Sequence, residues 1–127
     1  MIRNVISTDK APAAVGPYSQ GIRTTGLVFT AGQLGMDPAT GKLVDGGVEA
    51  QTRQALTNLS AVLEAAGTSL AHVLKVTVFL QDMGDFKAMN GVYAQFFGSA
   101  PPARSAVEVA ALPIGGLVEI EAVAAVS

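Results

Sequence analysis

The sequence contains no cysteine, which excludes disulfides, thiolate zinc centres, iron–sulfur clusters and thiol nucleophiles together. Its one histidine, His72, leaves no His pair for ribonuclease-type acid–base catalysis and no ordinary zinc cluster within one chain. Charge is scarce as well. Only 14% of residues are charged, and eight basic against ten acidic side chains give a net charge of −2. Such a balance supplies none of the positive field that phosphate backbones require, so no nucleic-acid partner is expected. No run approaches the ~18–20 apolar residues of a membrane-spanning helix, and Met1 to Ser7 hold no continuous apolar stretch of the kind a secretion signal carries. A cytoplasmic protein without a membrane partner is the expectation. Gly32-Gln33-Leu34-Gly35 and Gly115-Gly116 lack both the phosphate-loop lysine and dinucleotide-binding spacing.

What is present is apolar: half of the 127 residues are hydrophobic, enough for one core, and no linker, repeat or low-complexity tract divides residues 1–127. The chain is expected to fold as a single domain. So few charges leave much apolar surface uncovered, and burial against identical subunits is the common remedy.

Glycine and proline punctuate the elements. Leu27 to Gln33 is short, β-rich and bounded by Gly26 and Gly35, after an irregular lead-in containing Gly16-Pro17-Tyr18. Asp37 to Gly41 reads as a turn, followed by a loop to Gly47. From Val48 to Ala66, apolar Val48, Ala55, Leu59, Val62, Leu63 and Ala66 recur at helical spacing, and Gly67 is the expected C-terminal cap. His72 to Leu80 reads as a half-buried strand with Leu74, Val76, Val78 and Leu80 inward and Lys75 and Thr77 outward. Asp85 is placed to cap a second helix whose inward stripe is Phe86, Met89, Tyr93 and Phe96 or Phe97; Pro101-Pro102 stops any continuation.

Two further strands follow, Arg104 to Val109 and Leu117 to Val126. In the last, Val118, Ile120, Ala122 and Ala124 share one face and Glu119 and Glu121 the other. The expected architecture is an α/β domain, a mixed sheet with two helices packed on its apolar face. The opposite face is expected to carry Lys75, Arg104, Glu108, Glu119 and Glu121, and its burial between subunits would create half-buried ionic clefts suited to small anions.

Arg104 stands behind Pro101-Pro102-Ala103, a rigid entry to its strand, and its planar fork matches a carboxylate bidentately. An ion pair within the chain to Glu119 or Glu121 is the competing role. Glu119 is either a solvated strand residue or, if burial raises its pKa, a group able to position water and exchange a proton. Tyr18 is a loop phenol that either packs or overhangs a cleft. Asn90 either contacts a ligand or caps a neighbouring loop. His72 reads as an ordinary surface residue.

The segment Pro102-Ala103-Arg104-Ser105-Ala106-Val107-Glu108-Val109-Ala110, then Leu112-Pro113, then Val118-Glu119-Ile120-Glu121-Ala122, resembles the signature of the RidA (reactive intermediate deaminase A, YjgF-type) family. Ala11 to Gln20, Ala31-Gly32-Gln33, Val76 to Leu80 and Met89-Asn90 extend the resemblance over essentially the whole chain. It implies a chorismate-mutase-like subunit, a homotrimer with three interfacial clefts, and hydrolysis of 2-imino acids such as the tautomer of 2-aminoacrylate to 2-oxo acids and ammonia, with no metal or organic cofactor. By resemblance, Arg104 binds the substrate carboxylate and Glu119 positions the attacking water. Tyr18, Asn90 and Ala106 line the cleft, and the Gly32 backbone lies beside the ligand. Ala31 stands where many members have Ser, which removes a hydroxyl contact, and Ala106 where some carry Cys. A non-catalytic trimeric sensor of 2-oxo acids is the alternative. An endoribonuclease reading, sometimes attached to the family, is opposed by the acidic balance and the single histidine.

Overall fold

The computed structural model describes all 127 residues. Nine strands and two helices follow one another as β1 (Asn4–Ile6), β2 (Gly21–Arg23), β3 (Leu27–Thr30), β4 (Gln33–Leu34), β5 (Met36–Asp37), β6 (Lys42–Leu43), α1 (Gly47–Ala65), β7 (Val73–Leu80), α2 (Phe86–Phe96), β8 (Ala103–Glu108) and β9 (Val118–Ala125). The main sheet runs β1-β2-β3-β9-β7-β8, with β4 also paired to β9; β5 and β6 form a separate hairpin. Its one parallel pair, β7 with β8, is bridged by α2, as a parallel connection requires.

Leu56, Leu59 and Leu63 of α1 meet Met89 and Tyr93 of α2 over Val76, Val78, Val118, Ile120 and Ala124 of the sheet, forming one buried cluster. Both helices therefore cover the same face, as the periodicity predicts. After α1, Gly67 adopts φ +89° while its N–H bonds Glu64 O and that of Thr68 bonds Leu63 O, a Schellman closure that only glycine enters without strain.

Several expectations are corrected. The lead-in before Leu27 contains two strands, β1 and β2, too short for alternation to show. The strand expected over Leu27 to Gln33 breaks at Ala31-Gly32, and the Thr30 hydroxyl accepts from Ala122 N–H at 3.0 Å across the gap. Leu74 is half exposed, because a register shift between Val73 and Lys75 turns Val73 inward in its place. Asp85 makes no side-chain cap; Asp82 Oδ1 accepts from Gly84 N–H in the preceding 3₁₀ turn instead.

The largest correction concerns the charged face. In the parallel register, Arg104, Ala106 and Glu108 oppose Val76, Val78 and Leu80, while Val76, Val78 and Leu80 oppose Ala122, Ile120 and Val118 of β9. Paired residues project to the same side of a sheet, so Arg104 and Glu108 belong to the helix-covered face. Glu119 and Glu121, opposite Phe79 and Thr77, lie on the uncovered one. Strand alternation says which residues share a face within β8 but not which of its two faces joins that of β7; only the register does. The open face carries Lys75, Glu119 and Glu121 among Phe29, Phe79, Val107 and Val123, with Phe29 and Val107 nearly half exposed.

Candidate functional site

The face assignment separates Arg104 from Glu119, and each has its own cavity. Arg104 sits at the start of edge strand β8 beneath α2. Its Nη1 donates to Asn90 Oδ1 at 2.7 Å, and its guanidinium lies 4.6 Å from the Tyr93 ring centre and 5.4 Å from that of Phe86. A planar cation on aromatic faces with one edge hydrogen-bonded has a fixed orientation, and the remaining N–H groups stay available for an anion. Asn90, Tyr93 and Arg104 line a cavity of about 560 Å³ together with Pro101, Pro102 and Gly98. Burial pushes the Tyr93 phenol's pKa up while the Arg104 charge pulls it down; its hydroxyl is buried without a partner.

Asn90 thus neither caps a loop nor stands free: it is the polar wall that orients Arg104. The alternative ion pair to Glu119 or Glu121 within one chain does not form, because those carboxylates are on the other side of the sheet. Ala106 faces the same side as Arg104, packs against the core, and lines neither cavity.

Glu119 occupies a second cavity, of about 690 Å³, bounded by Tyr18, Gly32, Leu34, Met36, Pro113 and Ile114 among others. Half-burial pushes its carboxyl above the usual value of 4.5, and the neighbouring Glu121 charge adds to the rise. The break between β3 and β4 brings Gly32 against this carboxylate: a Cβ built there would lie 2.7 Å from Glu119 Oε2. Glycine leaves room for that close approach, and a side chain there would push the Glu119 carboxylate aside. Tyr18, half exposed, accepts from Val15 N–H at 3.3 Å through its phenol oxygen and stands in the wall of the same cavity. Of the six residues singled out from the sequence, Tyr18, Gly32 and Glu119 are brought together, Asn90 and Arg104 form a second group, and Ala106 joins neither.

Buried carboxamides hold the Glu119 cavity in shape, and the sequence reading missed them. Gln20 Nε2 is placed to donate to Thr8 O, Ala11 O and Pro12 O, while its Oε1 accepts from Thr8 N–H at 2.7 Å, fastening the loop that leads to Tyr18. Asn58 Nδ2 donates to Met36 O at 2.8 Å and Leu34 O at 3.2 Å, tying the far wall to α1. Gln51 Oε1 accepts from Leu117 N–H at 2.9 Å. For Gln51 and Asn58 the available signal was polar residues at inward positions of α1, where a purely structural helix carries aliphatics.

No three His, Asp or Glu residues gather as metal donors, and no helix is long and apolar enough to cross a membrane. The arrangement offers an oriented guanidinium for a carboxylate and a carboxyl of raised proton affinity against apolar walls.

Known proteins resemble this chain in sequence and fold. Residues 8–126 match the family model described as Endoribonuclease L-PSP. A 2-iminobutanoate/2-iminopropanoate deaminase of Capra hircus is 56% identical over 124 residues, covering 98% of this chain and 90% of the relative; the deaminase of the same description from Homo sapiens is 52% identical with the same coverage. Among solved structures, RidA from the Antarctic bacterium Psychrobacter sp. superposes with a TM-score of 0.94 at 48% identity, covering 98% of this chain and 100% of that one. TdcF of E. coli, crystallised with bound serine, gives 0.93 at 42% identity, covering 98% and 99%. The class is that of small mixed α/β proteins with two helices on one face of the sheet. The chain belongs to the RidA/YjgF family, also described as Endoribonuclease L-PSP, and this kinship supports an enzymatic role in imine and enamine deamination.

Proposed function

We propose that the protein is a cofactor-independent 2-iminobutanoate/2-iminopropanoate deaminase that works as a homotrimer, with each cleft built from two subunits. The observation that carries this reading is the placement of Arg104 and Glu119 on opposite sheet faces, each unpaired with any opposite charge of its own chain and each lining a cavity. Bringing the open face of one copy against the β8 edge of another would join the two groups, and cyclic repetition of one heterologous contact closes a ring. Exposed Phe29 and Val107 favour burial of that face.

In the joined cleft, the Arg104 fork takes the carboxylate of the 2-imino acid, which leaves the electrophilic imine carbon toward Glu119. Water adds to that carbon as Glu119 accepts its proton. Glu119 passes that proton to the imine nitrogen, giving the carbinolamine; it then takes the proton of the carbinol hydroxyl and delivers it to the amine, which leaves as ammonia as the oxygen becomes the carbonyl of the 2-oxo acid. A carboxyl whose pKa lies above its ordinary value is suited to both transfers. The imine is already activated, so positioning and proton movement suffice.

The test supplies 2-aminoacrylate from a serine dehydratase and follows its disappearance with and without the purified protein. Acceleration beyond hydrolysis in buffer is expected. Binding of pyruvate without acceleration would instead identify a 2-oxo acid sensor.

A further inference from the structure

The turn between β8 and β9 holds the one non-glycine residue of the chain with positive φ, Ile114 at φ 51° and ψ 25°. A β-branched side chain there crowds its own backbone, and such conformations persist only where the surroundings impose them. Both ends of this turn are pinned. Upstream, Val109 N–H donates to Leu80 O at 2.9 Å and Gln81 Nε2 to Ala110 O at 3.2 Å. Downstream, Gly116 N–H closes on Pro113 O, a Cβ on Gly116 would lie 2.9 Å from the Leu34 side chain, and Leu117 is held by Gln51 Oε1 and by Gln81 N–H. Glycine, asparagine or aspartate would fit position 114 without this cost. The isoleucine that occupies it stands in the wall of the Glu119 cavity, with Pro113, Leu34 and Met36.

Resting on the deaminase reading above, we propose that Ile114 is a specificity-determining residue: its strained backbone holds an apolar wall beside Glu119 against which the side chain of a 2-imino acid packs. The wall favours imino acids with an aliphatic side chain larger than methyl, and the fold gives up stability to keep it. Strain and selectivity then change in opposite directions, which a residue serving only to stabilise the loop would not produce.

The experiment compares wild type, Ile114→Asn and Ile114→Leu at one protein concentration, measuring the melting temperature and kcat/KM for the imines of 4-methyl-2-oxopentanoate and of pyruvate. Asparagine tolerates the left-handed region, so Ile114→Asn is expected to melt about 3–6 °C higher while its preference for the larger imine falls about tenfold. Ile114→Leu, still apolar, is expected to keep most of that preference. An Ile114→Asn protein with unchanged preference, or with no gain in melting temperature, overturns the proposal. Calorimetric affinities for the two 2-oxo acids give the same comparison without turnover. A wild type that binds but does not hydrolyse fails the deaminase reading while Ile114 remains testable by the affinity ratio, and a wild type that binds neither ligand overturns both.

Discussion

Arg104 and Glu119 owe their chemistry to different surroundings. Arg104 is held by Asn90 and two rings, so replacing it by lysine keeps the charge but removes both the stacked plane and the second parallel hydrogen bond to a carboxylate. Arg104→Lys is expected to lose roughly 2–4 kcal/mol of transition-state stabilisation, on the order of 30- to 1000-fold in kcat/KM, with unchanged assembly in sedimentation. For Glu119 the sign follows from its raised pKa. The folded state holds the proton more tightly than the unfolded chain, so this residue's contribution to stability is fully present below the ordinary carboxyl value and is lost as pH rises through the folded one. Glu119→Gln removes that loss. The variant should melt higher than wild type at neutral pH, with the difference closing in acid, and should lose kcat far more than affinity for pyruvate. Equal melting of the two proteins across this range would contradict the assigned environment.

Among the elements, the β3–β4 break shows how the site is made and how much of it the sequence discloses. The Glu119 carboxylate occupies the space that a side chain at position 32 would take. Gly32→Ala is expected to displace that carboxylate and lower kcat at least tenfold, while circular dichroism shows the fold retained; wild-type turnover in this variant would remove Gly32 from the site. The long elements α1 and β9 were legible because their apolar residues repeat at 3.6 and 2 over many positions. β1 and β2 have three residues each and show no period. The Val73/Lys75 shift was invisible because a single extra residue changes register without changing composition. Of the candidate site, Arg104, Glu119, Tyr18, Gly32 and Asn90 were named through motif resemblance, whereas their grouping around two cavities depends on pairings between strands far apart in sequence. The support from Gln20, Gln51 and Asn58 depends on burial, which residue type conceals.

For the whole molecule, the separation of Arg104 from Glu119 makes assembly part of the proposed chemistry. One chain presents two separate cavities and an open face bearing exposed Phe29 and Val107, so under the proposed shared cleft sedimentation equilibrium at micromolar concentration is expected to give a trimer, and a monomer would contradict that proposal. Most direct is a complementation measurement. Arg104→Lys and Glu119→Gln subunits are unfolded, mixed in equal amounts, refolded together and assayed for imine hydrolysis. If each cleft takes Arg104 from one subunit and Glu119 from the next, random mixing leaves both native residues in about one quarter of the clefts, so activity near 25% of wild type should return from two almost inactive parents. A mixture that forms trimers yet remains as inactive as its parents would contradict the shared cleft.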